Sequence, residues 1–168
     1  MLIFEIYNKT PIFFDRFLNV NTNSVNSKFI FHSSYYRITK NPNAISVITI
    51  HDFIHEKYYS GIRKFLHVYQ KKKAIRNAKA IIVISESTKR DLFNYYPNLC
   101  KDKIIKMIYN GVSNDFKPIL DKNKFNKSFL FVGSRESYKN FNFSVISISK
   151  LQDFTLTIVG KNLDNKEI

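Results

Sequence analysis

Glycine and proline are scarce in this 168-residue chain, at four each; there is one cysteine and no tryptophan. The lone Cys100 cannot close an internal disulfide, which suits a cytosolic protein and leaves it a bystander thiol. No apolar run approaches the ~18 residues that a membrane-spanning helix needs. The opening stretch MLIFEIYNKTPIFFD is broken by Glu5, Lys9 and Asp15 and has no small-residue cleavage site, so no signal peptide is expected. Acidic residues are few as well, 13 against 27 Lys and Arg, for a formal net charge of +14.

What is present is 44% hydrophobic and 15% aromatic, enough to bury the core of one ordinary domain or two small ones. The positive charge invites a polyanion partner, nucleic acid or anionic membrane. It rests, however, on 21 Lys against 6 Arg, beside 18 Asn and 22 Ile. Those are residues with A/T-rich codons, and mutational drift accounts for them at least as well as a partner does. No aromatic-basic groove pattern accompanies the charge, so nucleic acid is not expected. The same bias makes each glycine informative, because drift does not supply it.

Along the chain, KFIFHSS (28–34), AISVITIHD (44–52), AIIVI (80–84), KIIKMIY (103–109), SFLFVG (128–133) and FTLTIVG (154–160) read as strands. Residues 1–20 have no clean period and admit a helix. Residues 62–79 read as a helix with Ile62, Phe65, Leu66 and Tyr69 toward the core; its other side carries Lys64 and the run Lys71, Lys72, Lys73. In SESTKRDLFNYY (85–96) Ser85 is placed to cap a helix that Pro97 stops. NFNFSVISISKL (140–151) is a further helix, and the polar stretch 115–127 could join domains. Strands alternating with helices of about 10–18 residues predict an α/β architecture with mostly parallel sheets. Ligands in such sheets bind at the carboxyl ends of strands. Gly111, Gly133, Gly160, His32, His51 and Ser85 all fall there.

Arg135 and Lys139 lie between a strand end and a helix start, where free N–H groups already favour an anion. A planar fork and a mobile point charge suit a diphosphate; solvated surface charge is the competing reading. Neither a Walker pattern nor GxGxxG is present, which argues against a nucleotide triphosphatase or a dinucleotide enzyme. His51 and His55, four apart beside Asp52 and Glu56, would resemble a metal pair on a helix. His51 closes a strand, though, and the order H-E-x-x-H is absent, so no metal is expected. His51 and Asp52 read better as polar groups at a cleft, with helix capping by Asp52 equally open. No nucleophile elbow supports covalent hydrolysis. The helix bearing Lys71–Lys73 could also lie on anionic headgroups.

Taken in order, FHSSYY (31–36), VITIHDFIHEKY (47–58), AIRNAKAIIVISESTKRDL (74–92), IIKMIYNGVSNDFKP (104–118), FLFVGSRESYKNF (129–141) and LTIVG (156–160) resemble family 4 glycosyltransferases. These have the GT-B fold, and the likeness is to those of bacterial cell-surface polysaccharide assembly. The resemblance implies parts of two Rossmann-like domains facing a cleft: residues 1–116 from the acceptor-side domain, 117–168 the start of the nucleotide-sugar domain. It implies retaining transfer of a sugar from a nucleotide-sugar to a polysaccharide or lipid-linked acceptor, in lipopolysaccharide, O-antigen or capsule assembly. No metal cofactor is implied. The setting it implies is the cytoplasm; peripheral contact with the inner face of the membrane through Lys71, Lys72 and Lys73 is the separate option read from the residues, beside docking of that helix on the sheet. By the same resemblance Arg135, Lys139 and Gly133 hold the donor diphosphate and His51 stands near the transferred sugar. Asp52, Ser85, Asn110 and Gly111 line the cleft or the interdomain crossing.

Two departures from the family pattern shape the expectation of activity. No glycine precedes Phe31, where the family has a glycine-rich loop, and no pair of glutamates eight apart follows IVG. A full member would be about twice this length. The chain is therefore expected to be an incomplete fragment with little or no turnover alone. The alternative is a non-catalytic basic α/β module that associates with a glycosyltransferase or a membrane surface.

Overall fold

The computed structural model describes residues 17–117, 127–160 and 162. The helix expected within residues 1–20 falls mainly on residues 1–16, and most of the polar stretch 115–127 on 118–126, outside the described residues. The chain divides into two compact units, Met1–Val112 and Ser113–Ile168.

The first unit runs β1 (Phe29–Ser33), β2 (Ala44–Ile50), α1 (Ile54–Tyr58), α2 (Gly61–Asn77), β3 (Ala80–Val83), α3 (Glu86–Tyr95), α4 (Pro97–Cys100) and β4 (Ile104–Met107). Its four strands form one sheet in the order β1-β2-β3-β4, each pair parallel. Register places Ile48 beside Ile81 and Ile50 beside Val83. Since side chains alternate along a strand, these four share one face. All are buried and pack with Ala74 and Ile75 of α2, with Ala78 just past its end, and with Leu92 of α3. Each of the Ile, Val and Leu side chains contributes about 1.5–3 kcal/mol on burial.

The orientation of α2 reverses the expectation drawn from its apolar residues. Ile62, Phe65 and Tyr69 are 71%, 64% and 54% exposed, while His67, Gln70, Lys71, Ala74 and Ile75 are buried. Ala74, with Ala78 just past the helix end, lets the chain approach the sheet closely, and the face it lies on carries Lys71 inward. Lys71 has no solvent exposure at all and pairs with Glu56. Lys73 donates to Asn19 Oδ1 at 3.3 Å and Lys72 lies over the Tyr96 ring at 5.7 Å. The run Lys71–Lys73 is thus not a solvated basic face, and Lys71 is closed to a membrane surface.

Smaller differences are local. His51 lies just past the end of β2, and the short α1 follows. Pro97 does end α3, and it also opens α4, since a first helical residue has no use for an N–H. Val20 pairs with Thr39 as an isolated parallel bridge.

The second unit contains β5 (Ser128–Val132), a 3-10 turn (Ser137–Lys139), α5 (Phe141–Ser149) and β6 (Thr155–Val159). β5 and β6 are parallel neighbours. Phe141 is buried and meets Phe131 edge-on at 4.9 Å. Every strand pair among the described residues is parallel, the α/β architecture that the alternating pattern implies.

Candidate functional site

In the first unit the polar residues gather where the chain leaves β1, β2 and β3. His51 is the first residue past β2, half-buried, and its main-chain carbonyl accepts from Thr88 Oγ1 at 3.0 Å. Asp52 is spent locally: Oδ1 accepts from the Ile54 N–H at 3.0 Å, an Asx turn at the entry to α1, whose N-cap is Phe53 without a side-chain cap. Ser85 caps α3, its Oγ accepting from the Thr88 N–H at 3.1 Å and lying 2.9 Å from Thr88 Oγ1. His32 Nε2 is 2.9 Å from Thr49 Oγ1. Asn110 and Gly111 follow β4 as exposed, irregular residues, and a side chain at Gly111 would meet open space.

Beneath this edge lies a buried polar cluster. Lys71 Nζ donates to Glu56 Oε2 at 2.8 Å and to the Asp52 carbonyl at 2.9 Å. The Tyr96 hydroxyl donates to Glu56 Oε1 at 2.7 Å. Burial draws the Lys71 ammonium below the ordinary lysine pKa, against the opposing pull of Glu56. Burial likewise pushes the Tyr36 and Tyr96 hydroxyls well above the usual phenol range, with Asp52 and Glu56 adding to it at Tyr36 and Glu56 at Tyr96. Tyr36 holds a left-handed backbone (φ 63), a strained conformation for a bulky residue and one that concentrates at functional edges.

In the second unit the ends of β5 and β6 come close together. Gly133 has φ 125, open in practice only to glycine, and its N–H donates to the Val159 carbonyl at 2.9 Å. A Cβ on Gly160 would stand 2.7 Å from the Gly133 carbonyl oxygen. A Cβ on Gly133 would stand 3.2 Å from Lys139 Nζ, so the ammonium lies directly over bare backbone. Arg135 donates from Nη2 to the Asn162 carbonyl at 2.7 Å, with its guanidinium 5.6 Å from the Phe141 ring centroid. Gly133, Arg135 and Lys139 are thereby grouped at one strand end. Such a group can neutralise an anion that approaches glycine backbone.

A family model described as Glycosyltransferase Family 4 matches residues 25–116. The chain belongs to glycosyltransferase family 4. It is a glycosyltransferase in that general sense, acting between a sugar donor and an acceptor. No curated protein and no solved structure matches it. No described helix is long and apolar enough to cross a membrane.

Glu56, Lys71, Tyr96, Thr88 and Tyr36 escaped the sequence reading of the glycosyltransferase edge. Apart from the local Ser85–Thr88 cap, the hydrogen bonds that tie Lys71 to Glu56, Thr88 to His51 and Tyr96 to Glu56 span 15 to 40 positions, beyond any local spacing rule. One signal was available: Lys71, Ala74, Ile75 and Ala78 repeat at helical spacing and continue a small-residue face that the louder Phe65 and Tyr69 obscure.

Proposed function

We propose that the chain's reaction is transfer of a sugar, with retention of anomeric configuration, from a nucleotide-sugar to a glycan or lipid-linked acceptor. The setting is assembly of a bacterial surface polysaccharide, lipopolysaccharide with its O-antigen or capsule, at the cytoplasmic side of the membrane. Residues 1–116 serve the acceptor side and residues from 117 the donor side. Lys139 and Arg135 hold the donor diphosphate over Gly133 and stabilise the charge that develops as it leaves. With two cations in that role, no metal is called upon. His51 stands beside the transferred sugar, and Asp52, Ser85, Asn110 and Gly111 shape the edge around it. The observation that carries this reading is the Lys139 ammonium poised over the Gly133 backbone at the open end of a parallel strand pair.

Titration of UDP, GDP, ADP and dTDP into the isotope-labelled chain tests it, read at the Gly133 and Gly160 amides. One diphosphate is expected to shift both amides, and Lys139→Ala to weaken that binding about tenfold, as loss of one charge-assisted contact does. If no nucleoside diphosphate moves these amides at millimolar concentration, the donor-site reading fails.

A second reading, association with an anionic membrane surface, is favoured by the exposed stripe Ile62, Phe65 and Tyr69 on α2. The contact would be made by this stripe and not by Lys71. Sedimentation with vesicles containing phosphatidylserine should fall for the double variant Ile62→Ser, Phe65→Ser. Equal binding by the variant would remove it.

A further inference from the structure

Residues 51–56 leave β2 and cross the carboxyl edge of the sheet, and three of their carbonyls are held by side chains from other elements. His51 O accepts from Thr88 Oγ1 at 3.0 Å, Asp52 O from Lys71 Nζ at 2.9 Å, and Glu56 O from Lys64 Nζ at 2.9 Å. Lys71 does more than any other donor here. Its one ammonium reaches Asp52 near one end of the segment and the Glu56 carboxylate, at 2.8 Å, at the other. Between them it lies 4.3 Å from the Phe53 ring centroid.

Burying an ammonium is costly, and an apolar side chain of similar volume would fill the same space at less expense. What the ammonium adds is direction. It has three donors, two of which are spent on one six-residue segment, and its counter-charge Glu56 is itself fixed by the Tyr96 hydroxyl at 2.7 Å. We infer that Lys71 is a positioning residue: with Glu56 and Tyr96 it fixes the path of residues 51–56, and thereby where the His51 imidazole stands. The functional weight of this inference rests on the reading of His51 as a residue beside the transferred sugar. The geometric part does not.

The test uses the full chain, isotope-labelled, as wild type, Lys71→Met, Lys71→Arg and Leu92→Ala. The last is a control that loosens the shared core without removing any hydrogen bond to the segment. Amide exchange is followed at residues 51–57 and at β3, together with the imidazole resonance of His51. Lys71→Met is expected to raise exchange at 51–57 about tenfold beyond any change at β3 and to shift the His51 resonance. Lys71→Arg should restore part of both, while Leu92→Ala should accelerate β3 and the segment alike. If Lys71→Met moves the segment no more than β3, or leaves His51 where it was, the residue is merely structural and the inference is overturned. Should Lys71→Met fail to fold, Tyr96→Phe removes only the hydrogen bond to Glu56. It should produce the same selective loosening at about threefold, and no selective change would again overturn the inference. UDP-glucose and GDP-mannose added to wild type separate the two claims. A selective Lys71 effect with no His51 response to either sugar nucleotide keeps the positioning role and counts against the sugar-site reading.

Discussion

The imidazole rings of His55 and His67 lie face to face, their centroids 3.5 Å apart and their planes 6° from parallel. Tyr59 stacks on His55 at 4.7 Å, and the Arg63 guanidinium lies 5.2 Å from the Tyr59 ring centroid. Burial holds the His55 pKa below its ordinary value, with Lys71 and Arg63 acting the same way and Asp52 and Glu56 opposing. The fold therefore prefers neutral His55. A histidine with a depressed folded pKa leaves stability intact above its unfolded pKa, about 6.5. That stability is lost as pH falls from there through the folded value, because the unfolded chain takes up the proton first. The urea midpoint should hold near pH 7.5 and decline toward about pH 5.5. His55→Phe, which keeps the stack but cannot titrate, should flatten part of the decline. Identical slopes for the two proteins would show that His55 is not the titrating group.

Phe65 and Leu92 make a contrast that reverses hydrophobic intuition about α2. Leu92 is fully buried and Phe65 is 64% exposed. Leu92→Ala should cost about 2–5 kcal/mol, whereas Phe65→Ser should change stability by no more than about 0.5 kcal/mol. Urea denaturation of both variants decides it; a multi-kilocalorie loss at Phe65 would mean that its face is covered in solution.

Gly160→Ala drives a methyl into the Gly133 carbonyl, backbone that cannot swing aside. The expected cost is about 1–3 kcal/mol, confined to the second unit. Amide exchange should quicken at β5 and β6 and stay unchanged at β2 and β3. Faster exchange in both sheets would contradict the division into separate units.

Ser85→Ala removes the cap from α3 and should cost about 1 kcal/mol, while Ser85→Asp should retain most of it. Thermal melts of the pair check this. Equal losses would point to a role for the hydroxyl outside capping.

The strands and their parallel arrangement were legible because β-branched runs such as AIIV and AISVITI cannot be mistaken for amphipathic helix and recur at βαβ spacing. The Ser85 cap was legible because its chemistry is written within four residues. The burying face of α2 was not. Its apolar side chains crowd the first two turns, while the sheet contact is set by Ala74, Ile75 and Ala78 further on. Nor could spacing reveal that a lysine from a run of three would turn inward to a glutamate fifteen residues earlier. At the second unit, Lys139 and Gly133 were named from the sequence, and the structure sets the ammonium over the glycine.

The Lys71–Glu56 pair also bears on which compact states the chain can occupy. A helix with a bare hydrophobic stripe on one side and small residues on the other has two plausible ways to dock on a sheet. Turning α2 to bury Ile62, Phe65 and Tyr69 would withdraw Lys71 and strand the Glu56 carboxylate in the interior. Leaving one member of a buried ion pair alone costs about 3–5 kcal/mol. That penalty is of the same size as the gain from burying one or two of those side chains, so the pair opposes the rotated packing. The charge thus adds a penalty to the rival docking and favours the arrangement in which the apolar stripe faces out.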